Sequence, residues 1–239
     1  MPDESGAGRN AGIPCWQPFM DDNMKVLDCL GDPEKSEWTV IQPVDSHDRD
    51  LLPQEILQVR ELCPGIPFAV VPVHVNWFQE LPPWPAPAVF KGQSDFGSGA
   101  AETLGKIIRK IVPKISGKKI LGGYSLAGFF ALWAGYQTDL FDGIAAASPS
   151  VWYPGWDEYI VRNRCMAPTV YLSLGRQEET AGNPVMRSVG NRIREQHRLL
   201  KEQDVQTVLE WNPGNHFREP ERRTAAGFAW IMNNRKAGK

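Results

Sequence analysis

Apolar residues in this chain follow two patterns that take turns. Short runs rich in β-branched residues, bounded by turn formers, read as strands. They fall at residues 24–30 (MKVLDCL), 38–44 (WTVIQPV), 68–75 (FAVVPVHV), 143–147 (GIAAA), 169–174 (TVYLSL) and 207–211 (TVLEW). A further short strand runs from Lys119 into Gly122-Gly123. Between them, apolar residues recur three and four apart, as on one face of a helix. Residues 53–62 open on Pro53 and carry Ile56, Val59 and Leu62, and Pro64-Gly65 closes that segment. Residues 101–112 carry Leu104, Ile107, Ile108 and Ile111. Val189, Ile193 and Leu200 mark another helix, and residues 225–232 a closing one. Residues 80–90 hold four prolines, which predicts an extended surface loop with Trp84 exposed.

Strands that alternate with helices predict an α/β protein. Its sheet is mostly parallel and doubly wound, with helices on both faces. The run at 68–75 is apolar almost throughout, as expected of a strand covered on both sides. In such sheets the chemistry gathers at the carboxyl ends of the strands.

Composition narrows the function classes. A length of 239 residues suits one domain and buries about 70% of the unfolded surface. The expectation is a disordered tail over 1–12 and a single domain over 13–239. A net charge of −2 with no basic patch argues against nucleic acid. No apolar run reaches the roughly 18 residues of a membrane span. The first residues lack the charged-then-apolar order of a secretory signal, so a cytoplasmic protein is expected. Cys15, Cys29, Cys63 and Cys165 are scattered, with no paired spacing, and read as reduced thiols. Cys63 beside Pro64-Gly65 is expected in a loop. Neither a metal site nor a cofactor is expected. The oligomeric state stays open, a homodimer included.

The chemistry-bearing segment is Lys119 to Trp133, KILGGYSLAGFFALW. A strand meets Gly123-Tyr124-Ser125-Leu126-Ala127 and a helix follows. This is a near match to the nucleophile elbow Gly-x-Ser-x-Gly, a sharp strand-to-helix turn that projects a serine hydroxyl. Ala127 replaces the second glycine, and Gly128 follows it.

A serine hydroxyl needs a base to take its proton and a third group to orient that base. In chains with this elbow the order is serine, acid, histidine. The strand at 169–174 is followed by Gly175-Arg176-Gln177-Glu178-Glu179, and the strand at 207–211 by Asn212-Pro213-Gly214-Asn215-His216-Phe217. Ser125, Glu178 or Glu179, and His216 fit that order. Of the two acids Glu178 is favoured; the other would be solvated or paired with Arg176. Asp204 and Glu210 are outside candidates. Among the other histidines, His74 is expected buried and hydrogen-bonded in a strand, His197 on a helix face, and His47 in a loop. Oxyanion donors are expected at the backbone N–H of Leu126 and at Val44 or Asp45.

These segments, with LPPWPAPAVF and SPSVWYPGW, resemble one family. It is the esterase branch of the α/β-hydrolases, which includes enterochelin esterases, feruloyl esterases, S-formylglutathione hydrolases and mycolyl-transferring relatives. The resemblance spans about Trp38 to Phe217. It implies an α/β-hydrolase fold, Ser125 as nucleophile, Glu178 as acid and His216 as base.

The expected function is hydrolysis of small soluble carboxylic esters through an acyl-enzyme, with a small-molecule ester as the partner. Acyl transfer or thioester cleavage by the same residues, or a non-catalytic binding protein, are the alternatives. Only residues 148–168 separate two strands where lids insert, so no large cap domain and an open, shallow site are expected. Tyr124, Trp152, Tyr153 and Trp156 could wall the pocket, with Trp77 and Trp84 opposite.

Overall fold

The computed structural model describes residues 20–21, 24–26, 29–46, 48–89 and 92–234. The predicted tail at 1–12, Cys15 and His47 lie outside them. Eight strands form one sheet: β1 (Met20–Asp21), β2 (Met24–Val26), β3 (Trp38–Val44), β4 (Phe68–His74), β5 (Lys118–Tyr124), β6 (Gly143–Ala147), β7 (Thr169–Gly175) and β8 (Gln206–Asn212). Their order is β1-β2-β4-β3-β5-β6-β7-β8. The six from β4 to β8 are parallel, with pairs such as Val40 with Val70, Leu121 with Ile144 and Ala146 with Leu172. β1 and β2 add an antiparallel edge. Of the expected 24–30 strand, residues 24–26 form β2 and Leu30 makes an isolated bridge to Val70; residues 27 and 28 lie outside the described ones.

The helices are α1 (Leu52–Leu62), α2 (Trp77–Glu80), α3 (Ala100–Lys110), α4 (Ser125–Gly135), α5 (Trp156–Arg162), α6 (Pro184–Arg187), α7 (Val189–Glu202) and α8 (Pro220–Asn233). Pro53 and Pro220 stand in the first turns of α1 and α8, where an N–H would have no partner anyway. α4 is apolar all round and buried along its length from Leu126 to Gly135. That is the composition of a central helix with no solvent face.

Side chains alternate across the sheet, so the core has two layers. Ile41, Leu121, Ile144, Ala146, Leu172 and Leu174 face one layer, with α3, α4, α5 and α7. Val40, Ile120, Ala145 and Tyr171 face the other, with α1 and α8. Helices therefore cover both faces, as the strand–helix alternation predicts. The segment between β6 and β7 holds only the short α5, so no cap domain is inserted there. Among the described residues no helix is long and apolar enough to cross a membrane.

Two expectations fail. His74 is exposed rather than buried; it is the last residue of β4, at the carboxyl end of the strand. Trp84 is half-buried rather than exposed. Its indole N–H donates to the Pro154 carbonyl at 2.7 Å, and its own carbonyl accepts from Tyr153 Oη at 2.7 Å. This reciprocal pair fastens the proline-rich loop to the segment after β6. Cys63 stands in the bend after α1, as expected, and is buried there with its thiol against Ala229 O. Burial pushes that thiol up, and an Asn233 hydrogen bond offsets part of the shift.

Candidate active site

β5 runs straight into α4 at Ser125, with no connecting loop. The turn forces Ser125 to φ 51°, a left-handed conformation that L-residues rarely adopt. Close packing explains the small residues around it. A Cβ on Gly123 would lie 2.7 Å from the Ala127 Cβ. A Cβ on Gly128 would lie 2.9 Å from the Gly123 carbonyl. Gly128 thus supplies part of the space that the missing second glycine of the elbow would give.

The loops after β7 and β8 lie side by side. Arg176 N–H donates to Asn212 O at 2.9 Å and Gln177 N–H to Gly214 O at 3.0 Å. Gly214 takes φ 86°, which lets the chain turn back there. This pairing places a turn at Glu178–Thr180 beside the loop that carries His216.

The three side chains expected to converge do so. His216 Nε2 lies 3.0 Å from Ser125 Oγ, and His216 Nδ1 lies 2.7 Å from Glu178 Oε2. Glu178 is buried, and its Oε1 accepts from Gly175 N–H at 2.7 Å and Ser148 Oγ at 2.8 Å. Burial raises its carboxyl pKa. The bonds from His216, Gly175 and Ser148 outweigh that and hold it below the usual value.

Glu179 points the other way. It pairs with Arg194 at 2.7 Å, not with Arg176. Glu210 accepts from Tyr171 Oη at 2.7 Å, and Asp204 sits in the turn after α7 at φ 61°. Neither bonds to His216. His197, half-buried on α7, is also remote from the serine's hydrogen bonds.

Leu126 and Asp45 both line the cavity in front of Ser125. Leu126 stands in the first turn of α4, where amides have no partner within the helix. The Asp45 N–H faces Asp48 Oδ2 at 3.4 Å, a long bond that an incoming oxyanion would have to displace.

That cavity measures about 800 Å³ and is lined mainly by apolar side chains, among them Trp77, Phe78, Phe96, Trp152, Met186 and Phe217. A cavity of that volume is larger than the shallow site expected, although no cap is present. α2, the strap carrying Phe96, and the α6–α7 region raise its walls. Trp152 lines it as expected, as does the ring of Tyr124. The Tyr124 hydroxyl, however, donates to His216 O at 2.7 Å. Burial pushes that phenol up to about 12. Tyr153 and Trp156 are fully buried; Tyr153 stacks on Phe129 and Trp156 meets it edge-on, so both pack the core instead of walling the pocket. Trp77 lines the cavity, whereas Trp84 packs on Tyr153 and Tyr159 behind it.

Three polar residues at the site escape a reading of the sequence. Ser148 bonds Glu178, and Ser150 Oγ lies 3.3 Å from Ser125 Oγ. Arg223, on α8, donates to Glu178 Oε1 at 3.0 Å and to the carbonyls of Pro213 and Asn215 at 2.9 Å each. Its signal in the sequence is helical phase: Arg223, Gly227 and Ile231 lie four apart on the inner face of α8.

No protein-family model matches the chain, and no curated protein matches it in sequence. Solved structures do match. An IroE-like serine hydrolase from Shewanella oneidensis aligns at TM-score 0.69 and 14% identity, over 87% of this chain and 75% of that one. The siderophore hydrolase EstA from Aspergillus nidulans aligns at TM-score 0.67 and 19% identity, over 98% and 97%. The enterobactin esterase FES from Shigella flexneri aligns at TM-score 0.64 and 15% identity, over 92% and 59%. At such identities the likeness establishes architecture: the chain has the α/β-hydrolase fold.

Proposed function

We propose that this protein is a serine hydrolase that cleaves carboxylic esters of small molecules through an acyl-enzyme. The observation that carries the reading is the unbroken run Ser125 Oγ–His216–Glu178 at 3.0 and 2.7 Å, opening on an apolar cavity. Ser125 attacks the ester carbonyl while His216 Nε2 takes its proton. Glu178 holds Nδ1–H and stabilises the imidazolium without itself being protonated. The tetrahedral oxyanion is met by the backbone N–H of Leu126 and, once Asp48 releases it, that of Asp45. His216 then gives its proton to the leaving alcohol. Water, activated by the same imidazole, releases the acid.

The cavity size suits a drug-sized ester held mostly by apolar contact. Trp152 and the Tyr124 ring form part of the binding wall. The solved neighbours named as serine hydrolase, siderophore hydrolase and enterobactin esterase support ester chemistry on this fold. They also place siderophore esters among the substrates to try. The test is a hydrolysis screen of p-nitrophenyl acyl esters, aryl esters and siderophore esters with wild type and Ser125→Ala. Turnover lost in the variant supports the reading, and equal rates in both would refute it.

A further inference from the structure

A single guanidinium ties together the two loops that carry Glu178 and His216. We propose that Arg223 is a positioning residue for His216. Its fork holds the acid and the His216 loop as one unit, and its charge opposes premature proton uptake by the Glu178–His216 pair. The kinetic arm of this inference rests on the ester-hydrolase reading; the geometry does not.

The Arg223 side chain is 2% exposed. The two N–H groups of Nη1 are shared among Glu178 Oε1 at 3.0 Å, Ser148 Oγ at 3.1 Å and Tyr124 Oη at 3.1 Å. Nη2 donates to the carbonyls of Pro213 and Asn215 at 2.9 Å each. Tyr124 Oη in turn donates to the carbonyl of His216. One side chain therefore fixes three carbonyls of the His216 loop, two directly and one through Tyr124. It also engages Glu178 Oε1, which leaves Oε2 for the imidazole. The planar fork is needed for this, since a lysine ammonium is a point charge on a flexible stem.

The charge has a separate effect. The groups facing His216 are Glu178 from the turn after β7, Ser125 from α4, Tyr124 from β5 and Arg223 from α8. Asp45 and Asp48 lie across the cavity, and Arg218 on the same loop is engaged with Glu219 at 3.4 Å. Arg223 is the buried cation of this set. Taking it away makes proton uptake by the Glu178–His216 pair more favourable, whichever atom receives the proton.

The experiment compares wild type, Arg223→Lys and Arg223→Met, with thermal melts to establish folding. The ring protons of His216, identified by their loss in His216→Gln, are followed by NMR across pH, and kcat and KM are measured on a p-nitrophenyl ester. In Arg223→Met the titration midpoint of the pair should rise by about one pH unit. In Arg223→Lys, which keeps the charge, it should stay in place. Both variants should lose about tenfold in kcat with KM unchanged, because the base is less well aimed. A wild-type midpoint in Arg223→Met, or wild-type kcat in Arg223→Lys, overturns the proposal. Should Arg223→Met not fold, the kcat and KM of Arg223→Lys decide. Should wild type cleave no ester, the hydrolase reading fails, while the NMR midpoints still decide the role of Arg223.

Discussion

His216 Nε2 sits 3.0 Å from Ser125 Oγ across a separation of 91 residues. Two parallel strands and their loops bring them together, and neither side chain is fully buried. Removing either should therefore cost rate without unfolding the chain. Ser125→Ala and His216→Ala are each expected to lower kcat by about 10⁴- to 10⁶-fold, and the double variant little more. Steady-state kinetics with a chromogenic ester measures this; additive losses would show that the two do not act as a unit.

The elbow strain gives a second prediction. Ser125 holds φ 51°, which a glycine adopts freely and an alanine does not. Ser125→Gly should melt above Ser125→Ala, by about 1 kcal/mol in stability. Equal melting of the two inactive variants would mean that the turn stores no strain.

The contact between Gly123 and Ala127 predicts a rescue. Gly123→Ala would place its Cβ 2.7 Å from that of Ala127. Overpacking of this kind costs about 1–3 kcal/mol. Adding Ala127→Gly should restore most of it, so a double-mutant cycle in denaturant should show strong coupling. Independent effects would place the two side chains out of contact.

Much of this architecture is legible in the residues. The apolar runs that become β3 to β8 are short and bounded by turn formers, and the helices between them keep strict spacing. Ser125 at a strand-to-helix turn and His216 in a loop past a strand are both announced by nearby glycines and by position. Glu178 and Glu179 differ only in direction, and that direction depends on Arg194 of α7, which no local pattern specifies. Arg223 lies in a charged stretch with Arg218 and Arg222, so its burial emerges only once α8 docks on the sheet. The cavity walls depend on α2 and the strap around Phe96, whose placement is tertiary. Trp84 reads as exposed because prolines mark a surface loop, yet its indole finds a partner across the chain in Pro154.

Two buried carboxylates should titrate in opposite senses. Glu178 is held below its ordinary value, so its contribution is present above the unfolded value near 4.5 and is lost as pH falls through the lower folded one. Glu55, buried on α1 and accepting from Gln42 at 3.3 Å, is pushed well above that value by desolvation. The folded state then binds the extra proton, so stability is full below about 4.5 and declines as pH rises above it. Glu55→Gln should raise the melting temperature at pH 7 and leave it nearly unchanged at pH 4. Destabilisation at pH 7 would mean that the ionised carboxylate is well accommodated.

Phe217 follows His216, is 86% exposed and lines the cavity mouth. Phe217→Ala should lower kcat/KM about tenfold for esters bulky enough to reach it and spare p-nitrophenyl acetate. A uniform loss across substrates would indicate instead that His216 has moved.

The proposed activity requires one hydroxyl to form a covalent bond. Incubation with a fluorophosphonate, read by intact mass and peptide mapping, tests this most directly. The expected result is one adduct per chain, on Ser125, absent in Ser125→Ala and strongly slowed in His216→Ala. A folded wild-type protein that stays unmodified, or reacts at a different residue, contradicts it.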